Sequence, residues 1–296
     1  MDRPDETVDA PAEPAPTRLR RRLAAGGLVV APFVFDGFQA RAAVDAGFTA
    51  LYCTGFGTAA AHGLADVGLL GLREMVDNGR RIVQAAGGTV PVVCDADTGF
   101  GNAVNVVHAV REYAAAGLAA LHLEDQVWPK RCGFMAGKEV IPLAEATQKV
   151  RAAVDASRAL GAAGPVVIAR TDALQPHGWD EVERRARSFH EAGAELLFVD
   201  GLRTRADAET CAERLAGLPL VYNGVLAAGV VEPLGFRLQL QSAPLLALLA
   251  AADGIYRELA DTSRIAMDRG AVAGAFQRVN GLLGLDEVEE LRRRYG

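Results

Sequence analysis

The sequence predicts an α/β protein of the (β/α)8 TIM-type barrel class with extra helices at its C-terminal end. From residue 28 onward, short apolar runs rich in β-branched residues alternate with Ala-rich segments of helical period. The runs begin about 30 residues apart, which is the size of one βα unit. Eight such units favour a closed barrel. A doubly wound open sheet is the alternative, but the chain has neither a GxGxxG turn nor a P-loop motif.

Each predicted strand is a nearly continuous apolar run, which is typical of a parallel sheet that is covered on both faces. The eight runs are LVVAPF (28–33), ALYCTG (50–55), VPVVCDAD (90–97), ALHLED (120–125), VVIARTD (166–172), ELLFVD (195–200), PLVYN (219–223) and LQLQ (238–241). Between the runs, segments such as 103–117 and 180–193 have a helical period and end in Gly, as expected at the C-terminus of a helix.

The two ends of the chain differ from the barrel repeat in composition. Residues 1–16 contain five acidic residues, one Arg and four Pro, so we expect 1–17 to be a disordered, acidic, Pro-rich tail. This segment lacks the basic and apolar regions of a signal peptide. We expect the catalytic barrel over 18–260 and a C-terminal helical extension over 261–296, because the final helical stretch is longer than one closing helix requires.

Composition and charge exclude several classes of protein. The chain has 296 residues, is 50% apolar and carries a net charge of −6, so it is not disordered as a whole. Its mild acidity and lack of basic blocks argue against a nucleic-acid partner. No apolar run approaches the roughly 18–20 residues of a membrane span, which argues against a membrane protein. The four cysteines, at positions 53, 94, 132 and 211, have no disulfide or CxxC spacing, which predicts a reducing, cytoplasmic setting.

Carboxylates directly follow several predicted strands, and the C-terminal ends of the strands carry the function in a barrel. Asp95, Asp97 and Glu124 end two strands, and Asp66 lies in the loop after the second strand. An unpaired charge is costly beside apolar strands, so we predict a shared cation. Oxygen ligands alone suit Mg²⁺ or Mn²⁺, and the five histidines lack the spacing of a zinc site. The alternative is that the DxD pair caps the following helix.

A basic segment with a cysteine follows the fourth predicted strand. Lys130 and Arg131 precede Cys132 and Gly133, and two adjacent cations favour a thiolate and attract an anionic substrate. A cysteine on such a loop can transfer a proton. The alternative is an ordinary basic surface loop.

Two further strand ends predict contacts with substrate. Arg170 ends the fifth strand, where it can bind a carboxylate through two hydrogen bonds or pair with a neighbouring strand-end acid. Thr54, Gly55 and Phe56 form a glycine-containing turn whose backbone N–H groups can approach an oxyanion.

Three strings, in this order, resemble the isocitrate lyase/phosphoenolpyruvate mutase superfamily. They are CDADTGFGNAVNV (94–106), LHLEDQVWPKRCG (121–133) and IARTDA (168–173), and the opening FDGFQARAAVDAGFTALYCTG (35–55) is also similar to that of the family. The resemblance covers residues 20–265 and is greatest to the branch of methylisocitrate lyases, dimethylmalate lyases and carboxyphosphonoenolpyruvate mutases.

The resemblance implies a Mg²⁺-dependent barrel that acts on small anionic 2-oxo or 2-hydroxy acids through an enolate. By this resemblance Asp97 is the direct metal ligand, and the metal is otherwise held through water. The residues that hold it through water are Asp66, Asp95 and Glu124. The residues that match the loop binding the oxo-acid end of the substrate are Tyr52, Thr54, Gly55 and Phe56.

The same resemblance assigns the remaining site residues. Cys132 matches the general acid of the lyase branch, and the resemblance places Lys130, Arg131 and Tyr52 with it among the catalytic residues. The residues that we expect to contact substrate are Thr54, Gly55, Phe56, Gly133, Phe134, Arg170, Asp200 and Asn223. Members of the family are commonly homotetramers, as dimers of dimers, in which a C-terminal helix is exchanged between subunits. That arrangement fits the extra helical segment of this chain.

Three positions depart from the family pattern. Phe134 stands where the family has His in KRCGH, Asp200-Gly201 replaces Glu-Ala, and GVLAAGVVEP replaces a Thr- and aromatic-containing stretch at 224–233. A site that has lost these polar groups rejects a tricarboxylate substrate. We therefore expect a smaller or more apolar substrate than isocitrate or methylisocitrate.

These observations predict a Mg²⁺-dependent carbon–carbon lyase with a non-standard 2-hydroxy or 2-oxo acid substrate. The alternatives are a phosphonomutase of the carboxyphosphonoenolpyruvate type, an oxaloacetate decarboxylase or acylpyruvate hydrolase, and a barrel without catalytic activity.

Overall fold

Eight parallel strands close into a barrel in the computed structural model, which describes residues 13–296 apart from residues 134, 266 and 268. Each strand pairs with its neighbours in chain order, and the last strand pairs with the first. The strands are β1 Val29–Val34, β2 Leu51–Cys53, β3 Val92–Asp95, β4 Ala120–Glu124, β5 Val166–Thr171, β6 Leu196–Val199, β7 Leu220–Gly224 and β8 Leu238–Gln241. The predicted barrel is confirmed, and every predicted run overlaps one of these strands.

Helices alternate with the strands along the chain, as the pattern of the sequence predicts. Their bounds are α1 Ala15–Ala24, α2 Gly37–Asp45, α3 Gly55–Ala61, α4 Leu72–Ala85, α5 Ala103–Ala115, α6 Leu143–Ala159, α7 Leu174–His177, α8 Trp179–Glu191, α9 Arg205–Arg214, α10 Ala228–Val231, α11 Ala243–Thr262, α12 Arg269–Leu282 and α13 Leu285–Tyr295. Helices α5 and α8 correspond to the helices predicted over 103–117 and 180–193.

Both faces of the strands are apolar, and each face belongs to its own core. Tyr52 lies in the cluster inside the barrel, whereas its neighbours Leu51 and Cys53 lie in the cluster between strands and helices. This division follows from the alternation of side chains along a strand. Cys94 and Cys211 are also buried in the outer cluster, so these three cysteines are structural core residues.

The first helix closes the bottom of the barrel. Leu19 of α1 is fully buried against the inner cluster, which includes Val29 and Leu238 at the starts of their strands. Because α1 begins at Ala15, the end of the tail predicted over 1–17 is helical. Residues 1–12 of that tail lie outside the described residues.

The last three helices leave large apolar side chains exposed. Tyr256 on α11, Phe276 on α12 and Leu291 on α13 are all exposed, although α12 also packs against α2. The boundary predicted at residue 260 falls inside α11, which continues to Thr262. Exchange of these helices between subunits stays a prediction. Of the helices that the structure describes, none combines the length and apolarity that crossing a bilayer requires.

A buried arginine ties the outer helices to the strand ends. Arg185 of α8 donates to Oδ2 of Asp125 at 3.0 Å and to the backbone carbonyl of Ile141 at 2.9 Å. Asp125, which directly follows β4, also accepts hydrogen bonds from the Thr171 hydroxyl and the backbone N–H of Asp172. A buried carboxylate is stable only with such partners, so Arg185 fixes the point where β4 leaves the barrel.

We expect Arg185→Met to lower the free energy of unfolding by about 3–5 kcal/mol, because the substitution leaves the Asp125 carboxylate buried without its cation. Arg187→Met is the matched control on the same helix. Arg187 is exposed and pairs with Glu183 one turn earlier, so its loss costs about 0–1 kcal/mol. Urea unfolding followed by circular dichroism measures both values, and equal losses would contradict the expectation.

Candidate active site

The carboxyl ends of the strands bring the predicted charged residues to one mouth of the barrel. Asp95 ends β3, Glu124 ends β4 and Arg170 lies near the end of β5, and all three are buried. Asp97 and Asp200 follow β3 and β6 closely and are also buried. Glu124 and Arg170 are direct register partners on neighbouring strands. The structure therefore gathers acids and cations in one region that is largely shielded from solvent.

A tight turn after β3 fixes the two aspartates of the DxD pair. Asp97 has a positive φ of 44°, a conformation that Asp tolerates better than most residues. Its backbone N–H donates to Oδ1 of Asp95 at 2.9 Å. The next helix, α5, is capped by the Asn102 side chain. The alternative in which the DxD pair caps this helix is therefore wrong.

Lys130 places its ammonium group among the four carboxylates that the sequence assigns to a metal. Its Nζ lies 2.9 Å from Oδ1 of Asp97 and forms a hydrogen-bonded ion pair with Asp66, in the loop after α3. Although burial opposes the charge, Asp97, Glu124, Asp95 and Asp66 raise the pKa of Lys130 well above its usual value. Lys130 therefore balances acids that a metal ion would otherwise balance.

Two features of this cluster fit a divalent cation. Oε1 of Glu124 is buried and has no hydrogen-bond partner among the described residues. Burial raises the pKa of Asp97 to about 6; Lys130 opposes the shift and the Asp95 carboxylate adds to it. Both carboxylates would gain from a cation. In the described part of the chain, no three His, Cys, Asp or Glu side chains surround a common metal position, so the metal set stays a prediction.

Below the carboxylates, Tyr52 and His122 form a polar pair inside the barrel. The Tyr52 hydroxyl lies 2.7 Å from Nε2 of His122 and 3.4 Å from Oδ2 of Asp95. Burial raises the pKa of Tyr52 well above its usual value and lowers that of His122 to about 4. Both side chains are therefore uncharged near neutral pH. Tyr52 packs in the inner cluster and its hydroxyl contacts Asp95, and its catalytic role stays a prediction.

The turn after β2 approaches Asp95 closely. Thr54 caps α3, because its Oγ1 accepts a hydrogen bond from the backbone N–H of Gly57. A Cβ built on Gly55 would lie 2.5 Å from Oδ2 of Asp95, so no other residue fits at this position. The first N–H groups of a helix have no acceptor within it. The predicted oxyanion contact requires backbone N–H groups that have no acceptor within the helix, and those of Gly55 and Phe56 are at such positions.

The segment that carries Cys132 leaves the barrel after β4 and returns before α6. An antiparallel bridge between Gln126 and Val140 closes its base. The Gln126 side chain also holds the backbone of Arg131 through two hydrogen bonds of 2.9 Å. Arg131 is exposed and Cys132 is half-buried. The two cations that we predicted beside the thiol thus lie in different environments, Arg131 in solvent and Lys130 in the carboxylate cluster.

The Cys132 segment meets β6 at Asp200. A Cβ built on Gly133 would lie 2.4 Å from Oδ2 of Asp200, so this close approach requires glycine. Lys138 joins the two elements, since its Nζ donates to the carbonyl of Gly133 at 3.1 Å and to Oδ2 of Asp200 at 2.7 Å. The same Nζ donates to Oδ1 of Asp172 at 2.9 Å.

Arg170 is paired with the acids around it. Its Nε and Nη2 donate to Asp172 at 2.9 and 3.0 Å, and Nη1 lies 3.3 Å from Oε2 of Glu124. Nη2 is also 3.4 Å from Oδ1 of Asp200. Pairing with strand-end acids, which we gave as the alternative, is what the structure contains. The sequence patterns missed Lys138. The strand-end acids outnumber the one arginine that pairs with them, and this excess of acids was the signal that a second buried cation must lie nearby.

The far side of the mouth contains the departures from the family pattern. The Asn223 side-chain oxygen is buried without a hydrogen-bond partner in the described part of the chain, so it can accept one from a bound molecule. The following segment contains α10, and Val225 is exposed. Phe134 lies outside the described residues.

Known proteins similar to this chain form one group. Residues 19–257 match the family described as phosphoenolpyruvate phosphomutase. The chain is 38% identical over 290 residues to the 2,3-dimethylmalate lyase of Eubacterium barkeri, covering 94% of this chain and 97% of that protein. The structure of oxaloacetate acetylhydrolase with the inhibitor 3,3-difluorooxalacetate is 34% identical, with a TM-score of 0.88 and coverage of 95% and 97%. That of phosphonopyruvate hydrolase with oxalate and Mg²⁺ is 26% identical, with a TM-score of 0.82 and coverage of 95% and 99%.

We expect His122→Gln to make the stability of the protein less sensitive to acid. The folded-state pKa of His122 is lowered to about 4 from a usual value of 6.5, so between these values only the unfolded chain takes up the proton. Between pH 7 and pH 4, the wild type should lose up to about 3 kcal/mol more unfolding free energy than the variant. Urea unfolding at several pH values measures the difference. A parallel loss in both proteins would show that His122 titrates normally.

Proposed function

This chain belongs to the phosphoenolpyruvate phosphomutase family, and on that premise we propose that it is a Mg²⁺-dependent lyase. It breaks a carbon–carbon bond in a small 2-hydroxy or 2-oxo acid through an enolate. The observation that carries this proposal is the contact of Gly133 with Asp200, because it brings the segment of Cys132 onto the mouth that holds the carboxylates and Arg170. The similarity to a lyase along almost the whole chain supports the reaction class.

The altered side of the mouth supports a substrate with alkyl substituents. Residues 224–233 contain mainly Gly, Ala, Val and Leu, and Asp200 is one methylene shorter than the Glu of the family. Asp200 is also engaged by Lys138 and Arg170, which reduces its capacity to bind another polar group. We therefore propose a 2-alkylmalate as the substrate class, with two carboxylates and no third. The relative that acts on 2,3-dimethylmalate supports this choice.

The carboxylate cluster is the proposed metal site. Asp97 would hold Mg²⁺ directly, and Asp66, Asp95 and Glu124 would help to hold it through water. When bound, such an ion stabilises negative charge that develops on the oxygens of the oxo acid. For the ion to bind, Lys130 must give up its ion pairs with Asp66 and Asp97. The complex of phosphonopyruvate hydrolase with Mg²⁺ supports the metal by similarity.

The protein's own residues orient the substrate and deliver a proton. Arg170 binds a substrate carboxylate once it gives up its pairing with Glu124 and Asp200 and keeps its hydrogen bonds to Asp172. The backbone N–H groups of Gly55 and Phe56 bind oxo oxygens. As the bond between the two carbons breaks, the 2-hydroxyl gives its proton to a base and its carbon becomes the carbonyl of the 2-oxo acid product. The electron pair of the broken bond remains on the other carbon, beside a carboxylate, as an enolate. The Cys132 thiol then transfers its proton to that carbon and completes the product acid.

The assembly and location follow the same proposal. The exposed apolar side chains Tyr256, Phe276 and Leu291 support a homotetramer in which a C-terminal helix is exchanged. Cysteines without disulfide spacing support a reducing, cytoplasmic location.

Similarity to oxaloacetate acetylhydrolase favours hydrolysis of an oxaloacetate-type acid as a second candidate function. A screen of 2-alkylmalates, oxaloacetate and phosphonopyruvate with Mg²⁺ separates the candidates. Pyruvate or glyoxylate released from an alkylmalate supports the lyase. Oxalate released from oxaloacetate alone contradicts it and supports the hydrolase, and rearrangement of the phosphonate supports a phosphonomutase. A lack of turnover together with a lack of Mg²⁺ binding supports a barrel without activity.

We expect Cys132→Ser to lower kcat for the lyase substrate by about 10²–10⁴-fold, because a hydroxyl is a far weaker acid than a thiol at this place. Cys211→Ala is the control, since this cysteine is buried on α9 away from the strand ends. It should keep kcat near the wild-type value. Steady-state kinetics measure both, and unchanged turnover in Cys132→Ser would remove the cysteine from the mechanism.

We expect Asp97→Asn to weaken Mg²⁺ binding by more than about tenfold, because a hard cation prefers charged oxygen ligands. Asp180→Asn is the matched control, because the Asp180 side chain is almost fully exposed. Isothermal titration of each protein with Mg²⁺ in the absence of substrate gives the affinities. Equal affinities in all three proteins would exclude the proposed metal site.

A further inference from the structure

Lys138 is a buried charge in an otherwise exposed stretch of chain. Residues 135–137 and Glu139 are exposed, whereas the Lys138 side chain is only 2% exposed. Burying a lysine is costly unless each of its three N–H groups finds an acceptor. Lys138 finds three, from Gly133, Asp172 and Asp200. The Lys138 ammonium group has therefore lost its hydration, and these three hydrogen bonds replace it.

These contacts persist over the physiological pH range. Although burial opposes its charge, Asp172 and Asp200 raise the pKa of Lys138 above its usual value. Likewise, Arg170 and Lys138 lower the pKa of Asp172 despite its burial. Two acids thus face two cations, and Lys138, Arg170 and Asp172 stay ionised near neutral pH. Hydrogen bonds between ionised partners are the strong ones in proteins.

Cys132 lies between two backbone neighbours that are each held by a side chain. On one side, Gln126 binds both the N–H and the carbonyl of Arg131. On the other side, Lys138 binds the carbonyl of Gly133 and anchors it to β5 and β6. The acids that bind Lys138 are Asp172 and Asp200, and both directly follow strands of the barrel. Lys138 therefore fixes the position of Gly133, the residue after Cys132, relative to the strand ends.

We propose that Lys138 is a positioning residue that holds the Cys132 segment on the mouth of the barrel, through Gly133 on one side and Asp172 and Asp200 on the other. The role of Lys138 in catalysis rests on the proposed lyase function. The contact of Lys138 with Gly133, Asp172 and Asp200 does not depend on that function. Gly133 fits this arrangement because a Cβ at this position would lie 2.4 Å from Oδ2 of Asp200 and would collide with the carboxylate.

The test compares the reactivity of the Cys132 thiol in Lys138→Met and wild-type protein. The full chain without substrate is alkylated with iodoacetamide over a range of pH, and the modified peptide is identified by mass spectrometry. The limiting rate at high pH, where the thiol is ionised, reports access to Cys132 rather than its pKa. We expect Lys138→Met to raise this rate by at least about tenfold, because it removes charge-assisted bonds that hold the segment.

Two variants control for other causes. Lys149→Met removes another buried lysine, on α6, and should leave the limiting rate within about twofold of the wild type, because among the described residues no hydrogen bond joins Lys149 to the Cys132 segment. Gly133→Ala retains Lys138 but adds a Cβ that collides with Asp200, so it should raise the rate as Lys138→Met does. If Lys138→Met fails to fold, Gly133→Ala decides the question.

Kinetics with the lyase substrate separate this proposal from the proposed function. A fall in kcat that exceeds the change in KM, together with faster alkylation, supports positioning of Cys132 for its proton transfer. Faster alkylation without any lyase activity in the wild type supports the contact and overturns only the proposed function. An alkylation rate within about twofold of the wild type in the folded variant, Lys138→Met or its substitute Gly133→Ala, overturns the role of Lys138.

Discussion

The structure depends on balancing charges that are buried at one end of an apolar barrel. Each acid at the strand ends has lost most of its hydration, and an ionised carboxylate in such a place requires a cation or several hydrogen bonds. Four basic side chains provide this balance within the described residues: Lys130, Lys138, Arg170 and Arg185. Lys130 and Lys138 come from the segment between β4 and α6, Arg170 comes from β5 and Arg185 from α8, so charge balance also joins a loop and an outer helix to the strands.

The barrel itself could be read from the sequence, because its signal is local. An apolar run that ends in an acid contains both the strand and its functional end, as VPVVCDAD and ALHLED do. The contacts of Lys138 had no such signal. It bonds to Asp200 across 62 residues of sequence, and its neighbours at 135–137 and 139 are exposed, so no apolar periodicity marks it. The position of Lys130 among the carboxylates was missed for the same reason.

The site also combines rigid and adjustable parts. Asp95 and Glu124 sit on strands, and Asp97 sits on a turn with positive φ whose backbone N–H is held by Asp95. The half-buried Cys132 and the exposed Arg131 belong to a segment whose position depends on a few side-chain bonds. Under the proposed function, the fixed part of the site stabilises the enolate and the adjustable part decides the fate of that enolate.

The bridge between Gln126 and Val140 has a consequence for how such proteins diverge. Because the chain leaves and re-enters the barrel at two residues that pair with each other, residues 127–139 form an excursion with a closed base. Changes in its length or sequence do not alter the spacing of β4 and α6, and a longer closed loop costs little extra entropy. Evolution or engineering can therefore exchange this excursion as a unit, provided that the new segment also supplies cations in place of Lys130 and Lys138. Under the proposed function, such an exchange gives the site a different proton donor and so a different reaction.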